Sequence, residues 1–197
     1  MFPIYLLSSM PRASVSAVWS DIRRAGGATA FAFAKQCPSR VRRLVLIEPS
    51  VINLPLGPER ESGAAMLRSF VSAALNVGTE AGLQTVLDAV GGAAWARLEE
   101  GQRAARLKAM EPMGHLTAPH FQALLDYQIA ESDLTAIASP TLLIYGGSSF
   151  PFQKFIAQRF RALRPDWPIL TIEGAGHNVF REQPDRVNDA IREFLSR

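Results

Sequence analysis

SDIRRAGGATAFAFAKQCPSRVRRLVLIEPS, residues 20–50, decides the fold. Gly26-Gly27 opens an Ala- and Phe-rich segment that predicts a helix from Ala28 to about Lys35. Cys37-Pro38-Ser39 stops it, because a proline disfavours helical backbone in the residue before it. Val41 to Ile47 then predicts a buried strand, with Leu44, Val45, Leu46 and Ile47 as a continuous apolar run. Such runs suit a parallel strand covered on both faces. The order is Gly-Gly turn, helix, short loop, buried strand.

Downstream, the pattern continues in kind. Pro140 to Gly146 (PTLLIYG) predicts a second buried strand, and Pro168 to Ile172 a third. Between them Phe155, Ile156, Phe160 and Leu163 recur at helical spacing. A closing helix from Pro184 to Leu195 carries Val187, Ile191 and Leu195 at the same spacing. Strand, helix, strand, helix with short loops means parallel strands and right-handed crossovers. From Pro58 to about Gln128 the sequence reads as helical throughout. Pro58 suits a first turn, with Glu59 and Glu61 near the positive end of the dipole. Met66, Leu67, Phe70, Val71 and Leu75 mark one helix. Leu83, Val86, Leu87 and Val90 mark a second after Thr79, a candidate N-cap. Two more stretches run around Trp95 to Leu107 and Pro119 to Gln128.

The segment AGGATA at residues 25–30 with the strand after it resembles the core of the α/β-hydrolase fold. There a G-x-S-x-G turn lifts a nucleophilic serine to the top of the sheet. The resemblance covers residues 25 to 197. It implies an incomplete α/β-hydrolase core of three to four parallel strands flanked by helices, in two pieces, residues 25–57 and 132–197. Residues 58–131 then stand where the haloalkane dehalogenase, epoxide hydrolase and carbon–carbon bond hydrolase branches insert a helical cap. Residues 1–24 are atypical: Ser, Pro and short apolar runs alternate with no sustained period.

The same resemblance implies site residues. His177, in G-A-G-H beyond the last strand, falls at the family's catalytic histidine, which takes the nucleophile's proton or activates water. The acid has two positions. In one, following the strand that ends at Gly146, this chain has Ser149 where Asp would stand. In the other, at the end of the preceding strand, it has Glu48, which can accept the imidazole N–H and fix its tautomer. The backbone N–H of Ala25 is what the resemblance leaves of the oxyanion hole. Arg24 occupies the nucleophile's position, and a guanidinium that stays protonated cannot attack a carbonyl. Ser20 is four residues too early. The chain as written is therefore expected to lack triad-dependent activity, although its lineage acts on a small-molecule ester or related bond. A non-catalytic fragment or binding protein is the alternative.

The junction also permits a reading-frame shift just before Gly26. Codons GTN TGG TCG GAC ATT CGN for Val18 to Arg23, read from the third base, give NTG GTC GGA CAT TCG. That translates as Leu, Val or Met followed by Val-Gly-His-Ser, the strand and elbow of the family.

Composition narrows the class. With 197 residues, 48% hydrophobic and 20% charged, the chain fits one globular domain. The net charge of +3 is small and the basic residues are scattered, which argues against nucleic acid as a partner. Arg40, Arg42 and Arg43 flank the first strand as its solvated edge. A single cysteine, Cys37, excludes an internal disulfide and a cysteine-based zinc site. No apolar run is long enough to span a bilayer. The first residues match a signal peptide poorly, having no positive charge and only a short apolar stretch, so the expected location is cytoplasmic. His115 and His120 fall among the helices of residues 58–131, at surface positions or, in the alternative, lining a substrate pocket, and three histidines without companion ligands predict no metal site and no cofactor. The first strand is expected to expose an edge, which invites self-association.

Overall fold

The computed structural model describes residues 26–54 and 56–197 of the chain. The expectations for Ser20, Arg24 and Ala25 lie outside the described residues.

Three strands form one parallel sheet in the order β1 (Leu44–Ile47), β2 (Thr141–Gly146), β3 (Ile169–Ile172). Leu44 pairs with Thr141 and Ile47 with Ile144; Leu143 pairs with Ile169 and Gly146 with Ile172. Alternation along the strands sends Leu44, Leu46 and Leu143 to one face and Val45, Leu142, Ile144 and Ile172 to the other. Both faces are covered, which is why β1 and β2 read as continuous apolar runs. The first strand is shorter than the sequence suggests. Val41 forms only an isolated bridge, and the ladder begins at Leu44. The Ser139 hydroxyl donates to the Val41 carbonyl at 2.8 Å and closes the gap.

On the first face lie helices α1 (Gly26–Gln36) and α8 (Pro151–Leu163). Helix α1 is buried nearly all round, Ala28, Ala30, Phe31, Phe33 and Ala34 each at 3% exposure or less, as its unbroken apolar composition requires. In α8 the buried stripe is Phe152, Gln153, Ile156, Ala157 and Phe160. It is rotated from the expected stripe: Phe155 and Leu163 are only half-buried. Phe160 stacks on Trp167, ring centroids 5.7 Å apart. The opposite face carries the short α9 (Val179–Glu182) and α10 (Pro184–Ser196), whose Val187, Ile191 and Phe194 close the second apolar layer.

Between β1 and β2 the chain forms α2 (Pro58–Asn76), α3 (Thr79–Val90), α4 (Gly92–Ala96), α5 (Glu100–Met110), α6 (Thr117–Asp126) and α7 (Glu131–Thr135). Leu67 and Phe70 of α2 and Phe121 and Leu124 of α6 belong to the same apolar cluster as α1 and the sheet. Phe70 and Phe121 meet at 4.9 Å. A small separate cluster joins Leu83, Trp95 and Leu107. Thr79 is the first residue of α3 and not its cap. Gly78 takes the cap at φ +121°, which a residue with a Cβ rarely adopts. The expected Trp95–Leu107 helix is two helices, broken at residues 97–99. Arg164 then locks α7 to the end of α8. Its guanidinium donates to the carbonyls of Leu134 and Ile137, each at 2.7 Å, while pairing with Asp166.

Candidate active site

In an open parallel sheet, functional groups gather where the strands end at their carboxyl edge. Here three segments meet there: Glu48 directly after β1, residues 146–149 at the end of β2, and residues 173–177 after β3.

Glu48 is 4% exposed and has φ +48°, the left-handed region that costs a non-glycine residue about 1–3 kcal/mol. Its hydrogen bonds hold it in that conformation. Its own N–H donates to the Ile144 carbonyl at 3.0 Å, continuing the ladder. The Gln153 side-chain amide donates to its carbonyl at 3.3 Å. The carboxylate accepts the Gly146 N–H on Oε1 at 2.7 Å and the Ser149 hydroxyl on Oε2 at 2.7 Å.

His177 completes the group, with Nδ1 2.9 Å from the same Oε2. An ionised carboxylate only accepts, so Nδ1 carries the hydrogen and Nε2 is left to accept a proton. The imidazole is 11% exposed in its side chain and lies against Phe150, ring centroids 5.2 Å apart; Phe150 in turn stacks on Phe152. The loop that presents the histidine is held at several points. Ser148 N–H donates to the Ala175 carbonyl, Gly176 N–H to the Glu182 carboxylate, and the Asn178 side chain to the Val90 carbonyl at the end of α3. Helix α1 starts at the same end of the sheet. A Cβ on Gly27 would lie 2.7 Å from Cα of Pro49, the residue after Glu48.

The two expected site residues that are described, His177 and Glu48, are therefore brought together. Ser149, at the alternative acid position, is 8% exposed and donates to Glu48. Of the two histidines between α5 and the end of α6, His115 is exposed and His120 is half-buried and packs edge-on against Phe121. Among the described residues no group of three or more His, Cys, Asp or Glu could hold a metal ion, and no helix is long and apolar enough to cross a membrane. The sequence reading missed Gln153 and Phe150. Gln153 had a signal: a polar residue on the buried stripe of an amphipathic helix needs a buried partner.

A family model described as the alpha/beta hydrolase family matches residues 25–190. The chain belongs to the α/β-hydrolase family. A hydrolase from Pseudomonas aeruginosa PA01 is similar in structure with a TM-score of 0.65 and 27% identity, over 87% of this chain and 62% of that one. A bromoperoxidase from Bacillus anthracis shares the fold at a TM-score of 0.67 and 20% identity, over 92% of this chain and 66% of that one. In sequence, the chain is 31% identical over 68 residues to ABHD14B of Rattus norvegicus, whose name gives it a provisional protein-lysine deacylase activity. The match covers 34% of this chain and 31% of that protein. The chain thus spans less than two thirds of the length of these relatives.

Proposed function

We propose that His177 and Glu48 are the base and the orienting acid of an α/β-hydrolase acting on a small-molecule ester or related acyl bond. The observation that carries this is the 2.9 Å contact between His177 Nδ1 and Glu48 Oε2, at the carboxyl ends of β3 and β1. With Nδ1–H held by Glu48, Nε2 takes the proton of an attacking hydroxyl and returns it to the leaving group. Similarity to a protein named for lysine deacylation agrees with acyl chemistry. Residues 58–131 act as the cap over the site, and their Val90 carbonyl is tied to Asn178, beside the histidine.

The second reading rests on Arg24. With arginine at the position where the family places its nucleophilic serine, the 197-residue chain has the relay and lacks the group the relay serves. Loss of a triad nucleophile costs on the order of a million-fold in turnover. Arg24→Ser alone is expected to leave the chain inactive, because Ile22 stands where the G-x-S-x-G turn has its first glycine. The test is hydrolysis of a short-chain aryl ester by the purified chain. Turnover abolished by His177→Ala, or fluorophosphonate labelling of Ser20, would refute the inactive reading. Sequencing the locus upstream of Gly26 tests its proposed origin: a longer frame encoding G-H-S before Ala25-Gly26-Gly27 supports a frame shift, and stop codons in the alternative frames exclude it.

A further inference from the structure

We infer that Ser149 is a positioning residue for His177, acting through Glu48. This rests on the reading of Glu48 and His177 as the proton relay. Three donors converge on the Glu48 carboxylate: Gly146 N–H on Oε1, and both the Ser149 hydroxyl and His177 Nδ1–H on Oε2. The carboxylate can only accept, so the direction of every one of these bonds is fixed. A carboxylate side chain turns about its last bond and could present either oxygen in any orientation. The backbone donor on one oxygen and the hydroxyl on the other stop that rotation, and Oε2 is left facing Nδ1. Glu48 and Ser149 are 4% and 8% exposed and the His177 side chain 11%, so these bonds are largely shielded from solvent.

The choice of serine at 149 follows from the same geometry. A carboxylate there would sit within hydrogen-bonding distance of Glu48, and two carboxylates that close do not both stay ionised. A hydroxyl removes the repulsion and supplies a donor. Position 149 and position 48 therefore address the same imidazole nitrogen: one carries the charge, and the other holds it in place. In the absence of Glu48's charge, an aspartate at 149 would reach one bond beyond the serine oxygen toward the place Oε2 now fills.

The experiment uses the full chain labelled with 15N. Long-range 1H–15N spectra report which ring nitrogen carries hydrogen, and His177→Gln identifies the His177 signals against those of His115 and His120. In the parent chain His177 is expected to show hydrogen on Nδ1 and a free Nε2. Glu48→Ala, which leaves Nδ1 no side-chain acceptor at position 48, should abolish that pattern. If it does not, the relay reading itself fails. Ser149→Ala should give a mixture of tautomers and faster solvent exchange of the Nδ1 hydrogen, with circular dichroism unchanged; Ser149→Thr, which keeps the hydroxyl, should restore the parent pattern. The double variant Glu48→Ala/Ser149→Asp should recover hydrogen on Nδ1. A parent-like spectrum for Ser149→Ala, with Glu48→Ala altered, overturns the role of Ser149 and leaves the relay standing. Should Ser149→Ala not fold, the double variant decides: recovery supports the inference and absence of recovery overturns it.

Discussion

Gly146 and Gly176 approach so closely that a Cβ on Gly146 would lie 2.2 Å from the Gly176 carbonyl oxygen. The end of β2 and the loop carrying His177 can pass each other only because one of them has no side chain. The neighbouring Gly147 repeats this, with a Cβ 2.4 Å from the Glu173 carboxylate. Gly146→Ala must push the backbone next to His177 away. The expected loss is about 1–3 kcal/mol or more, because the crowding atoms are backbone and cannot rotate aside. Urea denaturation measures the loss. Chemical-shift changes centred on residues 174–178 would locate its cause.

Gly27 supports the other side of the site. Its Cβ would meet Pro49 Cα at 2.7 Å and Cβ at 2.8 Å. Gly27→Ala is expected to destabilise by about 1–3 kcal/mol by forcing α1 off the residue that follows Glu48. Gly101, in α5, has nothing within 4 Å of its Cβ position. There the same substitution should stabilise by about 0.5–1 kcal/mol through lost unfolded-state freedom. Opposite signs for the two alanines in parallel denaturation curves are the expected result; equal signs would show that the close approach at Gly27 carries no weight.

Glu48→Gln keeps the shape of the side chain and removes its charge. The amide oxygen can still accept one of the three donors that meet there, and the NH2 group must face another. A buried donor left unpaired costs about 1–3 kcal/mol. The thermal midpoint should fall correspondingly, and Glu48→Ala should lower it further because the left-handed backbone loses its side-chain bonds as well. A variant as stable as the parent would mean that the carboxylate's bonds do not offset the backbone strain.

Why the pairing of Glu48 with His177 could be expected and the side chains around it could not follows from sequence distance. β1 and β2 each announce themselves through four consecutive apolar residues, β3 through Ile169, Leu170 and Ile172, and each strand exit through a local change in composition. The family resemblance puts its acid and its histidine at such exits, which is why Glu48 and His177 are expected there. Ser149 and Gln153 reach Glu48 from 101 and 105 residues away. Helical spacing with Ile156 and Phe160 puts Gln153 on the buried stripe, but nothing local to SFPFQKF says that its partner is Glu48, or that Ser149 donates where an acid was expected. The stripe of α8 was misjudged for the same reason. Phe152 is buried because it packs against Gly63 of α2 and Phe150 of the site, neither within its own helix.

β1 bonds to β2 through the N–H groups of Leu44 and Glu48, so those of Val45 and Ile47 point to its other side. Among the described residues β1 pairs with no second strand. Unpaired edges invite association. We propose that the purified chain self-associates through this edge. Light scattering across a dilution series checks it, with the apparent mass rising with concentration. A monomer at all concentrations, with a sharp unfolding transition at high temperature, would contradict it.

Asp133 links α7 to α1 and gives the chain a pH dependence far from the site. Burial pushes its carboxyl up, but the Lys35 ammonium 2.5 Å away and the Ala130 N–H at 3.0 Å outweigh this and hold it below its ordinary value. The sign follows from linkage. A carboxyl whose folded-state pKa is depressed contributes stability above its unfolded value of about 3.9, and loses it as pH falls through the folded value. Lys35 is 44% exposed in its side chain, so solvent screens the pair and its worth is below about 1 kcal/mol. Asp133→Asn should therefore lower stability slightly at neutral pH, and its curve should converge on that of the parent once the pH has fallen through the depressed folded-state value of Asp133, where neither protein carries a charge at 133. Denaturation at a series of pH values, in low and in high salt, checks this. The difference should shrink in salt, and a gap between the two proteins that persists unchanged at low pH would assign the loss to packing instead of charge.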